Sequence, residues 1–485
     1  MAAPISPAAL ISKPITFGTD GWRGVIAADF TFERVAQVAP LAAHALQQTY
    51  GDTTDSRTVI VGYDRRFLSE EFAQLAAQSI QQAGFDVMLS ESYGPTPAFS
   101  WAAKDQNALG AIVITASHNP GPYSGLKIKG GFGGSVPPEV TKSVEAMLEQ
   151  PPAPIGEPGT LETFDPWPSY CGIIQQRVNV DVICEAIASG KLTVFADVMH
   201  GAAATGIERI LGIKINELNS DRDPLFGGGA PEPLPRYLPD LLDQVKNHDK
   251  GGLTVGLVFD GDSDRIAAVD GSGTFLSSQI LIPILLEHLA TRRGYSGELV
   301  KTISGSNLFP KVAALYNMTV HETAIGYKYI ADRMNEAQVL LGGEESGGIG
   351  YGHHIPERDA LLSAMYVLEA VVQSGKDLSE LYSQLQDKTG FSSEYDRIDL
   401  PLASMEVRSR LVEELETNRP TEVGGQAITD CLTVDGYKFQ LADGSWLLIR
   451  FSGTEPVLRL YSEAMSTADV QRNLSWAKDW ATALS

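Results

Sequence analysis

Four short segments concentrate side chains able to do chemistry. In Thr115-Ala116-Ser117-His118-Asn119-Pro120 a hydroxyl follows the apolar, β-branched run Leu109–Ile114, which reads as a buried strand, and precedes a turn forced by Asn119-Pro120-Gly121-Pro122. Ligands of open α/β sheets bind beyond the carboxyl ends of the strands. Ser117 therefore stands where a nucleophile would work; its plainer reading is a turn serine bonding its own backbone. In Asp260-Gly261-Asp262-Ser263-Asp264-Arg265, three carboxylates at alternate positions follow the strand-like Val255–Phe259. Three like charges within five residues call for a cation, and a hard divalent ion with oxygen ligands suits them best. An EF-hand loop fails, because its sixth position holds Arg265 instead of Gly and its twelfth holds Gly271 instead of Glu. Mg²⁺ is the expected ion, since it is commonly held by few carboxylates together with phosphate oxygens. A solvated acidic turn is the alternative.

The third segment, Val339-Leu340-Leu341-Gly342-Gly343-Glu344-Glu345-Ser346-Gly347-Gly348, again runs from apolar residues into glycines with polar side chains at the tip. Carboxylate and hydroxyl together supply the acceptors and donor that receive a sugar's hydroxyls, and the rival is a flexible acidic turn. The fourth, Trp446 to Pro456 followed by Arg459, offers Arg450, Ser452, Thr454 and the amides around Gly453. A guanidinium fork with hydroxyls and loop amides suits a phosphate dianion, although alone the segment also reads as a β-turn with an exposed arginine.

The elements that must position these loops alternate strand and helix, which argues for α/β architecture with parallel or mixed sheets. Thr58–Tyr63 reads as a strand, Ser69 as the N-cap of a helix ending near Gly84, and Phe85–Leu89 as the next strand. The proline-rich run from Pro151 to Pro168 reads as a linker, and Leu192–Ala196 opens a second unit that closes with the acidic loop. Asp270–Gly273 is a turn, and Leu299–Ile303 starts a third sheet. Arg358–Ser374 forms a long helix packing on it through Leu361, Leu362, Met365, Leu368 and Val372. Beyond Gly390 the pattern becomes a hairpin, Tyr437–Leu441 and Trp446–Phe451 about Asp443-Gly444, followed by a C-terminal helix. No repeat is visible.

At 485 residues the chain exceeds one core and should divide into several domains. A hydrophobic content of 43% and a charged content of 20% are ordinary for a globular protein. The net charge of −23 disfavours nucleic acid or an anionic membrane as partner. The most apolar stretch, Ile280–Leu289, contains Pro283 and Glu287 and is too short to span a bilayer. Cys171, Cys184 and Cys431 show no metal-type spacing, and Met1–Pro7 lacks a basic n-region and an apolar h-region. A reduced, cytoplasmic protein is the expectation.

Taken in order, the four segments resemble the motifs of the α-D-phosphohexomutase family, which includes phosphoglucomutases and phosphomannomutases. Those motifs are a phosphoserine loop, a metal loop, a sugar-binding loop and a C-terminal phosphate-binding loop. The resemblance runs from Gly18-Thr19-Asp20-Gly21-Trp22-Arg23-Gly24 to Arg459. It implies an α/β fold of four domains around a central cleft, three similar α/β sheet domains plus a smaller C-terminal α+β domain. The corresponding divisions are 1–165 (phosphoserine loop), 166–270 (metal loop), 271–390 (sugar loop) and 391–485 (phosphate loop). It implies that Ser117 carries a phosphoryl group and joins Asp260, Asp262 and Asp264 in holding one Mg²⁺ per chain. Arg23, His118 and Lys328 match residues that assist transfer, and Arg265, Glu344, Ser346, Arg450, Ser452, Gly453, Thr454 and Arg459 would bind a small phosphosugar.

The implied reaction interconverts hexose 1-phosphate and hexose 6-phosphate through phosphoserine and a reorienting hexose 1,6-bisphosphate, which also serves as primer. Many dual-specificity members have Met between the Glu and Ser of the sugar loop and a His after the following Gly. Here Glu345 and Gly348 stand there, so any role of that His does not transfer, and the Glu-Glu-Ser form looks more like the glucose-preferring branch. A glucose 1,6-bisphosphate synthase would need every motif above and is the rival activity. A non-catalytic phosphosugar sensor would be expected to lose Ser117 or an aspartate, and neither is lost. Either a monomer or a dimer is compatible with the sequence.

Overall fold

The computed structural model describes residues 13–18, 20–149, 157–248, 251–452 and 456–484. Met1–Pro7, Thr19, Pro151–Pro154, Gly453 and Thr454 therefore lie outside the described residues. Four sheets follow one another along the chain. The first has seven strands, in spatial order Phe17–Gly18, Gly21–Val25, Tyr123–Gly130, Gly110–Ile114, Thr58–Tyr63, Asp86–Ser90 and Leu161–Phe164. The second has five: Phe275–Leu276, Ile266–Val269, Leu253–Phe259, Leu192–Asp197 and Asn216–Leu218. The third has four: Val320–Thr323, Glu298–Thr302, Val339–Gly343 and Ile349–Tyr351. These three are mixed. The last, six strands between Glu394 and Ala464, is antiparallel throughout.

One device recurs in the first three sheets. A central strand runs parallel to its neighbour on one side and turns back into an antiparallel partner on the other. Gly110–Ile114 lies parallel to Thr58–Tyr63 and antiparallel to Tyr123–Gly130. Leu253–Phe259 is placed likewise between Leu192–Asp197 and Ile266–Val269. Val339–Gly343 sits between Glu298–Thr302 and Ile349–Tyr351. The central strands are buried on both faces, which is why each reads as a continuous apolar run rather than an alternation. The three connections that turn back carry Ser117, the aspartates and Glu344 to Ser346.

Several local expectations are refined. Ser69 is the first residue inside its helix, Ser69–Gln82; the cap position is Leu68 in the left-handed region, and the Ser69 hydroxyl donates to Asp64 Oδ1 instead. The proline-rich run is not purely a linker, because Leu161–Phe164 adds an edge strand beside Asp86–Ser90 and a helix begins at Trp167. Between the C-terminal hairpin and the helix Thr467–Ala483 a further strand, Val457–Ala464, returns through the sheet. The long helix spans Ala360–Ser374, capped by Asp359 and ended by Gly375 in the left-handed region. Every residue from Ala360 to Val371 is buried, so it is a central core helix and not a one-stripe helix.

That helix belongs to the largest hydrophobic core, which joins Trp167 and Tyr170, Val194 and Leu257 of the second sheet, and Leu299 and Leu341 of the third. The first sheet has its own core, and so has the last, around Leu411, Phe439, Leu460 and Leu474. The last sheet meets the third along a narrow seam. Ile303 packs there with Trp446, Leu448 and Tyr461. Glu463 accepts from Asn307 N at 2.7 Å and from Trp446 Nε1 at 2.6 Å, and Lys438 Nζ donates to Ile303 O at 2.7 Å. All three cysteines are free thiols. Among the described residues no helix is long and apolar enough to cross a membrane.

Candidate functional site

Ser117 follows its strand in the left-handed region, φ 53°, and is 1% exposed. Its N–H donates to Thr115 Oγ1 at 2.9 Å, and its hydroxyl donates to Asp260 Oδ2 at 2.9 Å, across from the first sheet to the second. His118 Nδ1 lies 3.3 Å from the same hydroxyl. Burial, with Arg265 and Arg23 nearby, holds the His118 imidazolium far below the usual histidine range, so the ring is neutral. Arg23 Nη1 donates to Asn119 Oδ1 at 2.6 Å and so braces the far side of the loop.

The three loops are stitched together through backbone. Thr96 N donates to Asp262 O at 2.9 Å, and Thr96 Oγ1 to Asp262 Oδ2 at 2.6 Å, tying the first sheet's domain to the acidic loop. Ile266 N donates to Gly347 O at 2.9 Å, and Arg265 bridges Gly348, tying the acidic loop to the loop of Glu344 to Ser346. Gly347 has φ 103°, and a Cβ there would lie 3.0 Å from Ile266 O, so the close approach requires glycine.

Asp260, Asp262 and Asp264 are fully buried and offer oxygens within 4.8 Å of one another. Asp260 Oδ1 accepts the amides of Asp264 and Arg265 at 3.0 and 3.1 Å. Burial and the two neighbouring aspartates push the Asp260 carboxyl well above its ordinary value. Asp262 is held far below its own, because Lys127 and the Thr96 hydroxyl outweigh the effect of burial. The Oδ1 atoms of Asp262 and Asp264 are buried without a hydrogen-bond partner. Orphaned carboxylate oxygens beside a seryl oxygen, in a cluster of like charge, fit a hard divalent cation.

Lys127, Arg358 and Asp20 were not singled out from sequence, and they complete the charge balance. Lys127 Nζ sits 2.7 Å from Asp262 Oδ2, 2.8 Å from Asp264 Oδ2 and 2.8 Å from Asp20 Oδ2. Burial opposes its charge, yet these three carboxylates hold it protonated above the usual lysine value. Arg358 Nη2 bridges Asp20 at 2.6 Å and Asp264 at 2.7 Å. A signal was present: Lys127 and Lys129 alternate within the strand Gly125-Leu126-Lys127-Ile128-Lys129-Gly130, and buried lysines require carboxylate partners.

Glu344 accepts from Gly326 N at 3.0 Å, and its Oε2 lies 4.0 Å from Arg358 Nη1. Burial pushes its carboxyl up to about 7 despite Arg358. Ser346 lines a cleft cavity of about 690 Å³ together with Arg265, Tyr395 and Arg397, so second, third and last sheets share that wall. Glu345 is tied inward, accepting from Ser304 Oγ at 2.5 Å. Lys328 lies elsewhere, lining a pocket of about 310 Å³ with Gly18, Asp20 and Gly21. Its amine stands 4.7 Å over the Tyr329 ring, and no hydrogen bond or ion pair joins it to Ser117 or the aspartates among the described residues.

Arg450 and Arg459 face each other across adjacent antiparallel strands. Like charges directly opposite are unfavourable unless an anion lies between them. Asp435 takes part of that charge, accepting from Arg450 Nε at 3.0 Å and, with the same oxygen, from Ile325 N of the third domain at 3.1 Å. Ser452 N donates to Val457 O at 3.0 Å and Ser452 O accepts from Arg408 Nε at 2.9 Å, which fixes the loop's base.

Four family models match consecutive parts of the chain: phosphoglucomutase/phosphomannomutase alpha/beta/alpha domain I at residues 14–153, domain II at 168–273, domain III at 277–389, and the C-terminal domain at 406–474. A phosphoglucomutase/phosphomannomutase of Thermococcus kodakarensis is 30% identical over 460 residues, 93% of this chain and 94% of its own. A phosphoglucosamine mutase of Clavibacter sepedonicus is 30% identical over 475 residues, 95% and 97% of the two chains. The crystal structure of a Thermus thermophilus protein named for phosphomannomutase matches with a TM-score of 0.82 at 30% identity, covering 97% of this chain and 100% of that one.

Proposed function

Because the chain belongs to the phosphoglucomutase/phosphomannomutase family of mutase enzymes, we propose that it interconverts hexose 1-phosphate and hexose 6-phosphate through a phosphorylated Ser117, with glucose as the preferred sugar. The observation that carries this reading is the Ser117 hydroxyl lying 2.9 Å from Asp260 within the buried aspartate cluster. In the forward direction the Oγ–P bond of phosphoserine breaks as a bond from the sugar's 6-oxygen to phosphorus forms, and the proton lost by that hydroxyl is balanced by one taken up on the departing Oγ. After the 1,6-bisphosphate turns, the phosphorus–O1 bond breaks as Oγ–P re-forms, and the proton given up by the Ser117 hydroxyl is balanced by the one taken up on O1. Asp260, Asp262, Asp264 and Ser117 would hold a Mg²⁺, which would supply Lewis-acid polarisation of the phosphoryl oxygens. His118, kept neutral and weakly basic, orients the Ser117 oxygen. A hexose 1,6-bisphosphate primer would load Ser117. The four-unit division at 165, 270 and 390 and a cytoplasmic setting complete the proposal, the latter resting on free cysteines.

Arg450 and Arg459 are assigned the phosphate that is not reacting. Arg450→Ala should lower kcat/KM for glucose 1-phosphate roughly 10- to 100-fold, with Arg450→Lys recovering only part, because a point charge cannot reproduce the guanidinium fork. Wild-type kcat/KM in the alanine variant would remove the last domain from substrate binding.

Ser346, Arg265 and Glu344 are assigned the sugar. Glu344 accepts hydrogen bonds on both oxygens at full strength as a carboxylate, and its folded-state value of about 7 stands above the ordinary 4.5. Between those values the native chain keeps a proton that the unfolded chain has lost, so this group's contribution to stability falls as pH rises through the window. Sugar binding has the opposite slope. We expect kcat/KM to rise about tenfold from pH 6 to a plateau near pH 8, and to be flat over that range in Glu344→Gln. An unchanged profile in the variant would reject the assignment.

A second reading, a 2-amino sugar, is favoured by relatives named phosphoglucosamine mutase. Purified chain with Mg²⁺ and glucose 1,6-bisphosphate, offered glucose, mannose or glucosamine 1-phosphate separately, decides between them by relative kcat/KM. Bisphosphate released without isomerised product would point instead to a synthase, and no reaction with any sugar would sink the enzyme assignment.

A further inference from the structure

Arg66 is fully buried, and both terminal nitrogens of its guanidinium donate to carbonyls of the Ser117 loop, while Nε is paired with Asp64 by charge and not by a hydrogen bond. Nη2 donates to the carbonyls of Ser117 and Asn119, the latter at 2.6 Å. Nη1 donates to the carbonyls of Pro120 and Tyr123, each at 3.1 Å. Nε faces Asp64 Oδ2 at 3.2 Å, and the other Asp64 oxygen accepts from Arg66 N at 3.0 Å and Ser69 Oγ at 2.8 Å. Phe226, from the second domain, covers the guanidinium with its ring centre 4.7 Å away, and Arg222 Nη2 donates to Arg66 O at 3.0 Å. The acidic loop rests on the same group: a Cβ at Gly261 would lie 2.4 Å from Ser117 O and 3.4 Å from Arg66 Nη2.

We propose that Arg66 is the positioning residue of the phosphoryl-carrying loop, gathering four carbonyls on one guanidinium so that Ser117 stays in its left-handed conformation with its hydroxyl aimed at Asp260. This inference rests on the reading of Ser117 as nucleophile. A left-handed conformation at a residue with a side chain persists only where the surroundings over-determine it. Here the Thr115 hydroxyl takes the Ser117 N–H and Arg66 takes the Ser117 carbonyl, so both peptide groups flanking that strained residue are fixed. The four carbonyls are turned inward, where each needs a donor. Only a planar fork presents enough donors from one point; lysine offers three from a tetrahedral centre. The guanidinium acts through backbone geometry and not by contact with the sugar.

The test uses the full chain with Mg²⁺ and glucose 1,6-bisphosphate, comparing wild type, Arg66→Lys, Arg66→Gln and Ser117→Ala. Kinetics with glucose 1-phosphate are measured beside the rate at which Ser117 takes up phosphate, followed by intact mass. Displacing a reacting group by about 1 Å costs on the order of 100-fold. We expect kcat to fall about that much in both Arg66 variants, phosphate uptake to slow in parallel, and KM to stay within about threefold of wild type. Should an Arg66 variant fail to fold, Asp64→Asn, which loosens the guanidinium and leaves it in place, should show the same split with a smaller fall. An Arg66→Lys enzyme with wild-type kcat, or a loss confined to KM, overturns the proposal. Activity in Ser117→Ala would instead reject the nucleophile itself, so the two failures are told apart.

Discussion

Ser117→Ala should lose mutase turnover by on the order of 10⁴-fold or more while keeping a native melting temperature. The hydroxyl hydrogen-bonds Asp260 and His118 Nδ1 and contributes nothing to either adjoining core, so its removal leaves packing intact. Its loss removes the atom that forms and breaks the phosphorus bond. Intact mass of the active wild type should show one phosphate, mapped by fragmentation to Ser117, and none in the variant. Substantial turnover by the alanine variant would end the covalent mechanism.

Chelation should have an effect of similar size. EDTA is expected to abolish activity and Mg²⁺ to restore it. Asp262→Asn should lower kcat on the order of 10²- to 10³-fold, as loss of a Lewis acid's charge stabilisation would, and raise the Mg²⁺ needed for half-maximal activity. Asn keeps the shape and the contact with Thr96 but removes one of the charges facing Lys127. A readout independent of turnover is the melting temperature. Binding to the native state alone stabilises by mass action, so Mg²⁺ should raise the wild-type value and leave that of Asp262→Asn nearly unmoved at the same concentration. Full activity in EDTA, or equal Mg²⁺ responses in the two proteins, would take the cation out of the reaction.

Much of this was legible in the sequence, for identifiable reasons. Strands buried on both faces announce themselves as apolar runs, so Gly110–Ile114, Leu253–Phe259 and Val339–Gly343 were readable, and their loops with them. What escaped was long-range. Lys127 looks like a strand lysine until the second and third domains bring Asp262, Asp264 and Arg358 around it. Asp435 lies in an ordinary hairpin turn, and its contact with Ile325 exists only because the last sheet docks on the third. Arg66 sits in a run, Asp64-Arg65-Arg66, that looks like a solvated surface. The common hairpin device of the first three sheets left no periodic trace, because the constraint acts on strand order and loop position and not on particular side chains. Leu161–Phe164 is mostly exposed, and so carries no hydrophobic pattern to betray an edge strand.

On the proposed mechanism, the unequal division of the cores bears on how a bisphosphate would turn around without leaving. Backbone stitches at Thr96–Asp262 and Ile266–Gly347, with one core shared by the second and third sheets, make the first three domains a single anvil. The last domain folds around its own core and meets the anvil along the seam of Ile303, Trp446, Leu448 and Tyr461, with Glu463 and Lys438 beside it and Asp435 bonded to Ile325 N. It is a jaw. The reorientation in the proposed reaction would need more room than any clamped pose, and the last domain, with its separate core, is the wall whose yielding would not disturb Ser117. Each opening wide enough for the turn is also a chance for the intermediate to escape. On the proposed mechanism, the time such a jaw spent open, set by a seam far from the reacting phosphorus, would fix how many turnovers one primer molecule supports and whether the intermediate is retained or exported.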